Sequence, residues 1–536
     1  MPSVFLIGFM ASGKTTVGRE LARDGGLPFV DLDAAIEEAA GMTVRGIFAA
    51  EGEAGFRARE AAALDAVLAA GDAIVATGGG TPCAGDAMQR MRDGGAVVAL
   101  TAPFERLMER VEDPSVRPLL AQPREQTRAL LEARMSVYRQ AHFGVATEDR
   151  DAAAVAARVR AGVDALALLP DAWRSRAAVV SLADRSYPIA VAPGALDSLG
   201  AVIECLGERL GERLGAATGG YTAAGIVTDD NVAPLYLDRA RSALASAGLP
   251  VCHAVVPAGE PSKQLATAGT VAAKLVAGGL DRGSVVIALG GGVVGDLAGF
   301  VAATLFRGVA VVQVPTTLLA MIDSAIGGKT GVDLPAGKNL VGAFWQPDAV
   351  IADTDTLATL PAREMRAATG ELVKYGLLDG EPLLSLCETA DAADPELIRR
   401  CAAYKAWVVS RDERERTGER ALLNLGHTVG HAIEAAAGYG TLLHGECVAL
   451  GLIAACRVSR ALTLCDDALE SRVVSLLRAR GLDVDLDRWL TQDVLSRIGV
   501  DKKRVGSNIR FVALERPGVP RVEILPLDQL SEILYD

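Results

Sequence analysis

Lysine and histidine are both scarce in this chain. Of 54 basic residues only nine are lysine (14, 263, 274, 329, 338, 374, 405, 502 and 503), and there are five histidines. A sequence that uses arginine wherever a generic positive charge suffices keeps lysine for places that need a compact ammonium, so the nine are candidate site residues. Excess positive charge is missing too. A net charge of -13 excludes a broad nucleic-acid or membrane surface, because phosphate-rich partners need a positive footprint; any phosphate handling is local. No uncharged segment reaches the ~18 apolar residues that would span a bilayer. The eight cysteines are scattered and form no C-x-x-C pair, which excludes a dense disulfide framework and fits reduced thiols in the cytoplasm. The opening MPSVFLIGFMASGK has no basic leader and runs straight into Gly-Lys, so no signal peptide is expected.

At 536 residues the chain exceeds one hydrophobic core and should divide into two to four domains. Half of it is apolar and about a quarter charged, an ordinary globular balance. Short apolar runs at SVFLI, DAIVATGGG and GGAVVAL alternate with helix-patterned stretches, which predicts a parallel α/β sheet over 1–165. An alanine-rich helix ends at Pro170, and 166–177 reads as a linker. AVVSLADRSYPIAVAPGAL then reads as a strand hairpin. GIVTDD and SVVIALGGG are strand-to-loop transitions of a doubly wound, Rossmann-like α/β domain, 178–354. From 355 to 536 the period is helical, which predicts an all-α metal-binding domain.

Two regions carry chemistry. GFMASGKT fits G-x-x-x-x-G-K-[ST] directly after a strand. Gly8 and Gly13 shape a loop whose N–H groups surround the phosphates of ATP, Lys14 neutralises them, and Thr15 holds Mg²⁺ with Thr16 beside it. The companions are Asp31 and Asp33 in DLDAAI, Arg57 in GFRARE, Gly78, Gly79 and Gly80 in TGGGTP, Arg117 in RPLL and Arg134 in LEARMSVY. Arginines with a triple glycine suit a small carboxylate bearing hydroxyls. Further on, NLGHTVGHAIE places His427 and His431 at i,i+4, on one helix face, with Glu434 nearby and His444 following in LLHGE. That spacing lets imidazoles approach one metal, and on spacing alone His431 is a ligand. GELVKYG sets Glu371 beside the rare Lys374. The three glycines of ALGGGVVGDLAG follow an apolar strand, with Asp296 in the next helix, as a pyrophosphate-binding turn would. Lys329, Lys338 and Asn339, near glycine turns, suggest a phosphate on the substrate.

The N-terminal set resembles shikimate kinase over residues 1 to about 165. The resemblance implies that Asp33, Arg57, Arg134, Gly79 and Gly80 hold shikimate, that Asp33 orients or deprotonates the attacking hydroxyl, and that Arg117 lies on a lid over ATP. From about 178 to 536, GGGVVGDLAGFVAA, VPTTLLA, GGKTGV, GKN, LNLGHTVGHAIE and HGE together resemble 3-dehydroquinate synthase. This resemblance implies a divalent metal, Zn²⁺ or Co²⁺, on Glu371, His427 and His444, with His431 in proton transfer. It implies NAD⁺ at Asp229, Asn231, Glu260, Lys263, Gly291, Gly292, Asp296, Thr316 and Thr317. Substrate would be surrounded by Asp323, Lys329, Lys338, Asn339, Lys374, Lys405, Arg420, Asn424 and the Asp501-Lys502-Lys503 cluster, and Arg307 would reach a neighbouring subunit, making a homodimer. Three departures from the usual pattern are Ala325, Asp333 and Gly370. The expected function is shikimate phosphorylation joined to NAD- and metal-dependent conversion of a heptulosonate phosphate to 3-dehydroquinate, with no net redox. Two rivals remain: a P-loop regulatory module, and a metal-dependent NAD polyol dehydrogenase.

Overall fold

In the computed structural model, residues 3–111, 123–214, 220–438, 440–498, 504–505 and 508–535 are described. Arg117, Asp501, Lys502 and Lys503 lie outside the described residues. The chain separates into two compact units, Met1–Ala190 and Val191–Asp536.

The first unit is built on a five-stranded sheet of β1 (Ser3–Ile7), β2 (Phe29–Asp31), β3 (Ile74–Ala76), β4 (Gly95–Thr101) and β5 (Phe143–Ala146). All neighbours are parallel, in the order β2-β3-β1-β4-β5. β1 is buried at every position, which is why it reads as an unbroken apolar run instead of an alternating one. The chain leaves β1 through the glycine loop into the helix Lys14–Gly25, entered at Gly13 with φ 92°. Two further helices carry charged residues back to the same end. Val44–Ala70, broken at Gly52, brings Arg57, and Arg124–Tyr138 brings Arg134.

The hairpin β6 (Ala177–Val180) and β7 (Tyr187–Ala192) is antiparallel, as its sequence predicts, and the division between the units falls within β7. In the second unit, β8 (Ala224–Asp229), β9 (Val251–Val256), β10 (Val285–Gly290), β11 (Ala310–Pro315) and β14 (Ala349–Asp353) lie parallel in the order β14-β11-β10-β8-β9. The order reverses between β8 and β10, so the loops after Asp229 and Gly290 open the crevice in which such sheets bind ligands. β12 (Lys329–Leu334) and β13 (Gly337–Phe344) form a separate antiparallel pair.

The region beyond 355 is helical from Ala362 to Ile498. It is not all-α. β15 (Arg504–Val505), β16 (Asn508–Arg516) and β17 (Val519–Pro526) form an antiparallel sheet. NIRFVALER buries Ile509, Phe511 and Ala513 while Arg510 stays out, a period of two at the start of the strand, and Pro517-Gly518 turns the chain between β16 and β17. Among the described residues, no helix is long and apolar enough to cross a membrane.

Candidate active sites

In the first unit the triple glycine is where the charged side chains converge. A β-carbon on Gly78 would lie 2.9 Å from an Asp33 carboxylate oxygen, one on Gly79 would lie 3.5 Å from the Arg134 guanidinium, and one on Gly80 would lie 2.7 Å from that of Arg57. Each glycine therefore leaves room for a different charged group. Sequence reasoning missed Glu60. It is 2% exposed, accepts from Arg57 at 2.6 Å and from the Thr81 hydroxyl at 2.6 Å, and so aims the guanidinium. Its signal was its position three residues after Arg57, one turn along the same helix.

The phosphate loop fits a nucleotide. Gly8 has φ 142°, and a β-carbon there would strike the Leu100 carbonyl oxygen at 2.3 Å. Lys14 donates to the carbonyls of Gly8 and Phe9 at 2.9 and 3.0 Å, and the Thr15 hydroxyl donates to Asp31 at 2.8 Å. An ammonium on the loop, and a hydroxyl paired with a carboxylate, are the groups that a Mg²⁺-bound triphosphate needs.

In the second unit, helix crossings assemble the candidate metal donors, and glycines beside those donors permit the crossings. A β-carbon on Gly370 would meet the Gly445 carbonyl oxygen at 2.2 Å, and one on Gly445 would meet that of Ala367 at 2.0 Å. The helices Ala362–Asp379 and His444–Ala461 thus touch backbone to backbone next to Glu371 and His444, which accounts physically for glycine at 370. Gly426 and Gly430 serve His427 and His431 in the same way: a β-carbon on Gly430 would lie 2.8 Å from the Cys447 carbonyl oxygen.

The donor chemistry fits a cation. Glu371 is fully buried, and its partners are one ammonium and two imidazoles. Lys374 forms an ion pair with one oxygen, and the other lies 3.3 Å from Nε2 of His427 and 3.5 Å from Nε2 of His444. Each imidazole is oriented through its other nitrogen: Nδ1 of His427 faces the Leu425 carbonyl at 3.1 Å, and Nδ1 of His444 faces Glu434 at 3.2 Å. Nε2 is left to point at Glu371, the arrangement that metal-bound histidines show. Donor atoms of His427, His431 and His444 also lie within 4.8 Å of one another, so the three imidazoles form one cluster, with Glu371 against two of them.

Charge is arranged around them. Burial disfavours the Glu371 anion, but Lys374 and His427 hold its pKa well below the usual range. Burial and Lys374 depress His427. Burial opposes protonation of His444 also, yet Glu371 and Glu434 carry its pKa up to about 9. Burial lowers Lys405 to about 8 against the pull of Asp323, with which it pairs; the Tyr375 hydroxyl donates to the same Asp323 at 2.9 Å.

The remaining expected residues fall into groups. Gly291 precedes the helix Gly292–Thr304 and packs on Thr317, whose methyl would lie 3.1 Å from a β-carbon placed on the glycine; Thr316 follows β11. Asp229 caps the turn after β8 by accepting from Asn231 and Val232 at 3.0 and 2.9 Å. Lys263 pairs with Asp296 at 2.5 Å and stands 4.0 Å from Glu260. Lys338 lies 3.2 Å from Glu434, and Lys329 pairs with Glu415. Arg420 is 2% exposed and donates to the carbonyls of Gly327 and Glu413. Asn424 ends the short helix that leads to His427. Asp333 accepts from the Asn339 amide at 2.7 Å, closing the β12–β13 turn. Arg307 is exposed, on a left-handed turn.

A phosphate loop facing paired arginines, and a carboxylate–imidazole donor set in a unit with a doubly wound nucleotide-binding sheet, define an enzyme of two parts: a kinase and a lyase. Residues 253–367 match the N-terminal and 368–504 the C-terminal family model of 3-dehydroquinate synthase, and 10–163 match that of shikimate kinase. The 3-dehydroquinate synthase of Symbiobacterium thermophilum is 47% identical over 63% of this chain and 94% of its own length. A crystal structure of 2-deoxy-scyllo-inosose synthase complexed with carbaglucose-6-phosphate, NAD⁺ and Co²⁺ is 27% identical, covering 67% of this chain and 99% of that one, with a TM-score of 0.58. Shikimate kinase from Acinetobacter baumannii in complex with shikimate is 36% identical over 30% of this chain and 92% of its own, with a TM-score of 0.29. The chain belongs to the 3-dehydroquinate synthase family and carries a shikimate kinase domain at its N-terminal end.

Proposed function

We propose that residues 1–165 transfer the terminal phosphoryl group of ATP to shikimate, and that 178–536 convert 3-deoxy-D-arabino-heptulosonate 7-phosphate to 3-dehydroquinate with release of phosphate. The observation that carries the larger half is Glu371, a fully buried carboxylate paired with Lys374 and faced by two oriented Nε2 atoms. In the first unit, Arg57 and Arg134 hold the shikimate carboxylate. Asp33 orients the attacking hydroxyl, and Lys14 with Mg²⁺ at Thr15 offsets the charge of the moving phosphoryl group.

In the second unit, Glu371, His427 and His444 hold the divalent ion. Imidazole and carboxylate ligands favour zinc, and the glycine turn at Gly291–Gly292 holds NAD⁺. When bound, the ion supplies Lewis-acid polarisation of a substrate hydroxyl, and NAD⁺ accepts and returns a hydride. His431 moves the hydroxyl proton, while Lys329, Lys338, Lys374, Lys405 and Arg420 neutralise the substrate phosphate and carboxylate. We place the enzyme in the cytoplasm, in keeping with cysteines held as thiols, as a homodimer in which exposed Arg307 completes the neighbour's site.

The test is the purified full-length chain, assayed for phosphate release from the heptulosonate phosphate and for shikimate-dependent ADP formation. Expected are both activities, loss of the first on chelation of the metal, and loss of the second alone in Arg134→Ala. Net accumulation of NADH would sink the synthase reading in favour of a dehydrogenase. ATP binding without ADP formation would sink the kinase reading.

A further inference from the structure

The triple glycine holds its shape by more than its own backbone. Tyr138, the last residue of the helix Arg124–Tyr138, is 1% exposed and donates its hydroxyl to the Gly79 carbonyl at 2.7 Å. Arg134 sits four residues earlier on the same helix face, and its guanidinium stands 3.5 Å from a β-carbon position on Gly79. The hydroxyl therefore fastens the Gly79 peptide to the helix that carries Arg134. A phenol with only a packing role would not need this bond, and a buried hydroxyl held by a partner is an ordered one.

We infer that Tyr138 is a positioning residue for the acceptor substrate. Its hydroxyl ties the helix that carries Arg134 to the Gly79 carbonyl and so sets the distance between the carboxylate-binding guanidinium and the glycine turn that the rest of the acid lies against. The inference rests on the shikimate kinase reading of this unit. Tyr138 works through Gly79 and through the placing of Arg134. The β-carbon position on Gly79 also lies 3.4 Å from the Gly8 carbonyl oxygen of the phosphate loop, but the hydroxyl sets the acceptor's own contacts directly, so its removal is felt more by shikimate than by ATP.

The test is Tyr138→Phe in the full-length chain, which removes one oxygen atom and keeps the ring and its packing. Steady-state kinetics are measured with shikimate and with ATP varied in turn, alongside the melting temperature. The expected result is a KM for shikimate raised about fivefold, the usual worth of a buried hydrogen bond between neutral groups, with KM for ATP changed less than about twofold. A shikimate KM equal to that of the parent overturns the inference, even if the melting temperature falls, because that is what a packing role alone predicts. A parallel rise in both KM values overturns it as well. Absence of shikimate phosphorylation in the parent chain would instead remove the reading beneath it, so the two failures are told apart.

Discussion

At the scale of single residues, the second site depends on a buried charge pair that a bound cation would share. Lys374 is 1% and Glu371 0% exposed at the side chain, so the ammonium and the carboxylate were both taken from water, and each relies on the other. Asp323 adds to the field at Lys374 but is itself paired with Lys405. Glu371→Gln keeps the shape, removes the anion, and leaves Lys374 buried opposite a neutral amide. Breaking one partner of such a pair costs about 3–5 kcal/mol, so the variant is expected to melt well below the parent and to lose the bound divalent ion. Metal content after gel filtration and a calorimetric scan read the two effects. Retention of a full equivalent of metal would show that the three histidines suffice without the carboxylate.

At the scale of elements, the loop that delivers Arg420 is organised by one side chain. Asp412 is 2% exposed and accepts from the backbone N–H groups of Arg416, Thr417, Gly418 and Arg420 at 2.7 to 3.2 Å. Burial works against its ionised form, and the amides outweigh it, so its pKa lies below the ordinary 3.8. A depressed carboxyl stabilises the fold above the unfolded pKa, and this stability fades as pH falls through the folded pKa. Asp412→Ala is expected to cost about 2–4 kcal/mol, since several amides lose their acceptor, and to raise KM for the phosphorylated substrate by displacing Arg420. Asp412→Asn should lose stability at pH 7 and show less further loss than the parent between pH 4 and 3. Chemical denaturation at those pH values checks both. Contiguous patterns were legible in the sequence: the phosphate loop, the apolar strands, and the spacing of His427, His431 and His444, because each of these is a local constraint on backbone or face. Tyr138 was not, since folding alone brings it to the Gly79 carbonyl; Asp412 was not, since backbone amides leave no trace in residue type; and Glu60 left only an i,i+3 charge pattern of a kind common on exposed helix faces. The β16–β17 sheet escaped because a short period-two run followed a long helical one.

At the scale of the whole chain, the segment 166–177, which reads as a linker, is held by the first unit. It contains the short helix Asp171–Arg174, and two side chains from elsewhere in the unit fasten it. Arg92, 3% exposed, donates to the carbonyls of Ser175, Gln140 and Ala177 at 2.6 to 3.0 Å. His142, 1% exposed, accepts the Val97 amide on Nδ1 at 2.9 Å. That fixes the tautomer, so Nε2 carries the proton and donates to the Arg174 carbonyl at 2.9 Å. The His142 carbonyl in turn accepts from Val179 at 2.8 Å. A connection so tied opens to a protease only by local unfolding, at a rate set by the free energy of that opening. Limited proteolysis of the intact chain should therefore leave 171–177 uncut. Arg92→Met, which keeps an unbranched apolar stem and removes every one of those donors, should release the segment. A loss of about 2 kcal/mol of local stability corresponds to cleavage roughly thirtyfold faster, with fragment masses ending inside 171–177. If parent and variant are nicked there at the same rate, the segment is an open tether and Arg92 contributes nothing to its order.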